Sequence, residues 1–163
     1  MKNKILIVGL DTAYNKSLAQ NLANESGAYF LDIEDYVSYS LFNVHTMKEK
    51  CGIDYFNQQE YKSIVSCADY ENSVINFPCD LFLRNEMYKF FIESSICVYV
   101  KFSELAINKA DKNYSDDAKL TTNILCFKEI NKQLENICDY TIYVKNKKIS
   151  TIIKEIISKI VGE

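Results

Sequence analysis

The stretch Lys4–Ser17, KILIVGLDTAYNKS, constrains the fold more than any other. The apolar run Ile5-Leu6-Ile7-Val8 reads as a short buried strand and ends at Gly9. Six residues follow, and Lys16-Ser17 then open a segment of helical periodicity. Strand, turn and helix carrying Lys-Ser is the setting in which backbone N–H groups converge on a phosphate. In that setting the lysine adds a full positive charge and the serine hydroxyl can reach Mg²⁺. The spacing departs from G-x-x-x-x-G-K-[ST], because Gly9 lies one residue too far from Lys16. The second glycine position is held by Asn15, a residue that tolerates positive φ better than most. The residues predict an anion-binding loop over Gly9–Ser17; the competing reading is an ordinary strand-to-helix turn with a surface lysine.

The remainder of the chain continues the alternation. A helix is expected over about Lys16–Asn24, with Leu18, Ala19, Leu22 and Ala23 on one face and Gly27 as its stop. A strand at Tyr29–Leu31 leads into Asp32-Ile33-Glu34-Asp35, acidic residues that suit a helix start. Helix is expected at Tyr36–Asn43 and at Tyr55–Cys67, with a turn at Met47–Lys50 between them. A third strand, Ser73–Phe77, stops at Pro78, the only proline. Leu81–Glu93 reads as helix and Ile96–Phe102 as a strand covered on both faces. Ser103 suits an N-cap for a short helix over 104–110. The polar stretch Lys112–Lys119 reads as mobile. A long helix over Leu120–Cys138, a strand at Tyr140–Val144 and a helix at Ile149–Val161 complete the series. The last helix carries Ile153, Ile156, Ile157 and Ile160 as one apolar stripe. Strands alternating with helices predict a parallel sheet covered on both sides, with ligands beyond the carboxyl ends of the strands.

Composition narrows the function classes. At 163 residues, 48% hydrophobic and 25% charged, the chain suits one soluble globular domain. A net charge of −3 without a basic run argues against nucleic acid as partner. No run of 18 apolar residues suggests a membrane span, and a strand that begins within four residues of Met1 leaves no room for a signal peptide. A cytoplasmic protein is the expectation. The six cysteines, at 51, 67, 79, 97, 126 and 138, show no C-x-x-C spacing, and His45 is the only histidine. Zinc-ligand grouping is therefore not indicated, and reduced structural thiols are expected.

The ordered set of pieces resembles the shikimate kinase family, a branch of the nucleoside-monophosphate-kinase-like P-loop fold, over nearly the whole chain. It rests on the Lys16-Ser17 loop, FLDIED in the place of F-[IL]-D-x-D, and Gly52 with Phe56 and Glu60 in the place of G-x-x-x-F-R-x-x-E. SVINFPCD stands at the strand end V-I-x-x-G-G-G, ICVYVKFS at the strand before the lid, and ICDYTIYV at the A-D-x-x-[IV] segment. The resemblance implies a three-layer α/β/α fold with a five-stranded parallel sheet of order 2-3-1-4-5, a lid at about 109–119, and ATP with Mg²⁺ as cofactors. Carried over by position, Lys16 would hold the β- and γ-phosphates beside Asn15, and Ser17 the Mg²⁺. Asp32 would support the metal through water, and Glu34 would orient the acceptor hydroxyl. Among the lid cations Lys109, Lys112 and Lys119, Lys112 would meet the nucleotide.

Several positions depart from the family pattern. Asn57 replaces the arginine after the phenylalanine, and Phe77-Pro78-Cys79 replaces the glycine triplet. The lid has no arginine, and Lys132 is the best substitute for a later one; Arg84 is the only arginine in the chain. A carboxylate substrate wants a guanidinium fork that lysine does not reproduce. These departures imply weak or lost shikimate phosphorylation with ATP–Mg²⁺ binding as the retained possibility. The alternatives are an active small-molecule kinase with a different acceptor and a non-catalytic interaction module with a protein partner. Tyr36, Tyr39 and Tyr55 fall near the implied acceptor pocket, where aromatic residues at helical spacing favour the core over contact.

Overall fold

The computed structural model describes residues 3–41, 44–84, 89–102 and 117–162, with side chains at all of these except 84, 89, 90 and 117–126. Five parallel strands form one sheet in the order β2-β3-β1-β4-β5, with helices flanking it, as the sequence predicts. The chain divides into two compact units, Met1–Ile96 and Cys97–Glu163.

The first unit contains β1 (Lys4–Gly9), α1 (Thr12–Ser26), β2 (Tyr29–Asp32), α2 (Ile33–Ser40), α3 (Val44–Cys51), α4 (Ile53–Ser66), β3 (Ser73–Pro78), α5 (Cys79–Arg84) and α6 (Lys89–Ser94). Strand β3 lies between β1 and β2, with Gly9 opposite Pro78 and Asp32 opposite Asn76. Every residue of β3 is buried, the polar Ser73 and Asn76 included, as in a strand covered on both faces. Leu18, Ala19, Leu22 and Ala23 are fully buried along α1. Gly27 ends that helix in the left-handed region, φ 65°, and its N–H donates to the Ala23 carbonyl, as the stop signal predicts.

The second unit contains β4 (Ile96–Lys101, from Cys97 onward), α7 (Asp117–Ile137), β5 (Tyr140–Tyr143) and α8 (Ile149–Val161). Lys101 lies opposite Tyr143 in the β4–β5 ladder. Ile152, Ile153 and Ile156 are buried on α8. That helix has the bounds its isoleucine stripe predicts.

Several boundaries move. The expected turn at Met47–Lys50 is part of helix α3. Helix α2 begins at Ile33 rather than Tyr36, because Asp32 caps it. Both ends of the expected Leu81–Glu93 helix are helical, as α5 and α6, while 85–88 lie outside the described residues. The Ser103 cap, the helix over 104–110 and Lys112 also lie outside them. Residues 117–119, expected to be mobile, open α7. Among the described residues no helix is long and apolar enough to cross a membrane.

Candidate functional site

Helix α1 takes up much of the expected anion-binding loop. Helix α1 begins at Thr12, not Lys16, so only Leu10 and Asp11 separate it from β1. Asp11 is a strong N-cap residue, and its Oδ1 accepts from the Tyr14 N–H at 2.9 Å. Its carbonyl accepts from the Asn15 N–H at 2.9 Å. A phosphate loop needs such N–H groups pointed together at an anion. Here they close the first helical turn, and a carboxylate occupies the end where the helix dipole would favour phosphate. Asn15 is not at positive φ; the described non-glycine residues with positive φ are Asn72 and Asn146. Instead Asn15 is 1% exposed within α1, and its Oδ1 has no hydrogen-bond partner among the described residues. In this conformation the Tyr14 and Asn15 N–H groups are both turned to Asp11.

The sequence-predicted side chains do come together, but on one another. Lys16 Nζ donates to Asp35 Oδ2 at 2.6 Å and stands 3.9 Å from Asp32 Oδ1. That hydrogen bond to Asp35, with the nearby Asp32, raises the Lys16 pKa against the opposing effect of burial. Asp32 is buried, and both its oxygens are engaged. Oδ1 accepts from the Asp35 N–H at 2.9 Å, capping α2, and Oδ2 accepts from Asn76 Nδ2 at 2.8 Å. Ser17 follows one helical residue later, its carbonyl accepting from Asn21 Nδ2 at 2.8 Å. Among the described residues, no group of three or more His, Cys, Asp or Glu is placed to hold a metal ion.

Glu34 lies in the first turn of α2. Burial first, and then the neighbouring Asp32 and Asp80, push its carboxyl pKa up, with Lys16 opposing. The charged form is thus disfavoured in the folded chain. Its contribution to stability is fully present below the ordinary carboxylate range and is lost as pH rises through the raised value. Glu34→Gln should therefore raise the melting temperature at neutral pH, and the gain should disappear towards pH 4, near the unperturbed carboxylate pKa. Thermal melts of both proteins across that range check it; a gain that persists in acid would contradict the assignment.

The expected glycine-triplet position is filled by core. Phe77 is 1% exposed and packs edge-on against Phe82 and Phe91, with ring centroids 5.8 and 5.5 Å away. Pro78, which has no N–H to offer a ligand, ends the strand opposite Gly9.

No protein-family model matches the sequence, and no curated protein matches it. Solved structures do. Shikimate kinase from Aquifex aeolicus superposes with a TM-score of 0.74 at 19% identity, covering 98% of this chain and 96% of that one. Shikimate kinase from Acinetobacter baumannii, solved with shikimate, gives 0.76 at 17% identity over 98% and 93%. Dephospho-CoA kinase from Campylobacter jejuni gives 0.66 at 12% identity over 98% of each chain. This chain has the shikimate kinase fold.

Within that fold, sequence reasoning overlooked Asp11, Asn76 and the pairing of Asp35 with Lys16. Asp11 carried a readable signal, an N-cap residue followed by Thr-Ala-Tyr-Asn without a glycine. Asn76 carried none, since its role depends on standing opposite Asp32 in the ladder. The tyrosine expectation is also corrected: Tyr39 is 88% exposed and Tyr55 is exposed. Tyr36 is half-buried, with its hydroxyl 3.0 Å from Ser66 Oγ.

The second unit holds its own feature at the carboxyl ends of β4 and β5. A cleft of about 270 Å³ is bordered by Lys101, Lys128, Lys132 and Lys145 against the single acid Glu135, with Phe102 and Phe127 as apolar walls. Lys101 donates to Glu135 at 2.6 Å and lies 5.4 Å from the Tyr143 ring centroid. Asn131 is buried and accepts a hydrogen bond from the Tyr99 hydroxyl. Lys132, the expected substitute for a substrate arginine, is thus in a cationic cleft, while Lys112 lies outside the described residues.

Proposed function

We propose that this chain keeps the shikimate kinase fold without its phosphotransfer. The supporting observation is the start of α1 at Thr12 with Asp11 as its cap. Phosphoryl transfer depends on positioning and charge neutralisation, and here the phosphate end of the helix carries a carboxylate while Lys16 is neutralised by Asp35. Losing one charged hydrogen bond costs about 1.5–3 kcal/mol. A shikimate carboxylate would miss several, because Arg84 is the only guanidinium group in the chain.

A second reading, retention of a nucleotide such as ATP without turnover, is favoured by the lysine-bordered cleft of the second unit. Its cations suit phosphate oxygens, and its aromatic walls suit a planar base.

A coupled assay of ADP release with ATP, Mg²⁺ and millimolar shikimate tests the first reading. Release should stay at background, and shikimate should leave the melting temperature unchanged. Shikimate-dependent release that disappears in Lys16→Ala would overturn it. Calorimetric titration with ATP tests the second: binding should survive Lys16→Ala and weaken roughly tenfold in Lys128→Ala/Lys132→Ala, about 1.4 kcal/mol for two lost charge contacts.

A further inference from the structure

Two thiols face each other in the unit Cys97–Glu163. Cys97, the second residue of β4, is fully buried. Cys138, in the bend between α7 and β5, is half-buried. Their sulfurs stand 3.2 Å apart although the residues are 41 positions apart in sequence. A disulfide bond is about 2.05 Å long, so joining them asks for a closure of roughly 1 Å. The bend can supply it, since Cys138 and Asp139 belong to neither α7 nor β5. The two segments are also held together independently of the sulfurs. Asp139 Oδ2 accepts from the Cys97 backbone N–H at 2.8 Å, and the Cys138 N–H donates to the Leu134 carbonyl at 3.0 Å.

We propose that Cys97 and Cys138 are a site of reversible oxidation, forming an intramolecular disulfide with a low-molecular-weight disulfide as oxidant. Cys138, the accessible partner, loses its proton to solvent, and its thiolate attacks one sulfur of the oxidant. The oxidant's S–S bond breaks and one thiolate leaves. Cys97, deprotonated in turn, attacks Cys138 Sγ, the mixed disulfide breaks, and the second thiolate leaves. Two protein thiols and one disulfide thus become one protein disulfide and two small thiols. Two electrons pass from the protein to the oxidant.

The other described cysteines do not compete for this role. Burial pushes the Cys67 thiol up to about 12, far from thiolate formation at neutral pH. Cys79 is buried on α5, and Cys51 is exposed on α3. The cross-link would tie the end of α7 to the start of β4 and close a long loop, which restricts the unfolded chain.

Incubation of the full chain with oxidised glutathione, followed by tryptic mapping, reads the bond directly. Cys97 falls in the peptide Phe90–Lys101 and Cys138 in Gln133–Lys145, each with one cysteine. The expected result is one species joining these two peptides, a melting temperature higher by about 5–10 °C, and reversal of both by dithiothreitol. Cys138→Ser, an isosteric change at a half-exposed bend, should abolish the link and the shift. As a separate readout, phenylarsine oxide, which bridges adjacent thiols, should shield both peptides from alkylation in the reduced wild type and neither in Cys138→Ser. Glutathione persisting on Cys138 without transfer to Cys97, a link through another cysteine, or no arsenical shielding would overturn the proposal.

Discussion

Replacing Phe77 by alanine is expected to lower the free energy of unfolding by about 3–5 kcal/mol, seen as a fall in melting temperature of roughly 10–15 °C. The side chain is almost fully enclosed in the middle strand of the first unit and touches Phe82 and Phe91 edge-on. Each such aromatic pair adds about 0.5–1.5 kcal/mol beyond buried area. Phe77→Leu keeps most of the volume and should cost less than half as much. Phe77→Gly would add backbone freedom to the cavity and should cost more than alanine. Denaturant unfolding of the three variants gives the order Leu, Ala, Gly; near-equal stability of all four proteins would mean that Phe77 is not a core anchor.

Asp32→Ala should be the second most damaging change, at about 2–4 kcal/mol. Loss of an N-cap costs about 0.5–2 kcal/mol, and leaving the buried Asn76 amide without its acceptor costs about 1–3 kcal/mol. Both follow from the bonds to the Asp35 N–H and from Asn76 Nδ2. Asp32→Asn retains a capping oxygen but sets an NH2 against Asn76 Nδ2, so it should lose about 1–3 kcal/mol, still less than alanine. A carboxylate needed to organise a metal would behave differently, since Asn would keep the fold while removing any Mg²⁺ dependence. Thermal melts with and without Mg²⁺ separate the two. An alanine variant that melts like wild type would show that Asp32 does not hold α2 in place.

The parts of the fold that were legible share one property. Helix α8 is read from its own isoleucines, α1 ends where Gly27 says it must, and β4 announces burial on both faces by its near-continuous apolar run. In each case, the information lies within a few residues and reports which side chains leave water. The strand order came from the family resemblance rather than from periodicity. The candidate site residues were named from the motif, and the partners they take in the fold were not legible. Lys16, Asp32 and Glu34 were singled out from the motif, while the bonds that Lys16 makes to Asp35 and Asp32 to Asn76 join separate elements. Attention to Gly9 and Lys16-Ser17 also hid the cap signal at Asp11, which moves the helix start by a full turn.

By itself, the sequence determined the alternation of strands and helices and the faces they bury, because periodicity along the chain is set by local geometry and the exclusion of apolar groups from water. Tertiary structure decided which partners the segment after β1 takes, although its cap at Asp11 is a local signal. The same Asp-Thr-Ala-Tyr-Asn residues could line a loop or form a helical turn. The helical turn places Lys16 within 2.6 Å of Asp35, 19 residues away, while ladder register sets Asp32 against Asn76 and the bend after α7 brings Cys138 to Cys97. Such pairings depend on distances between separate elements, which no run of neighbouring residues encodes.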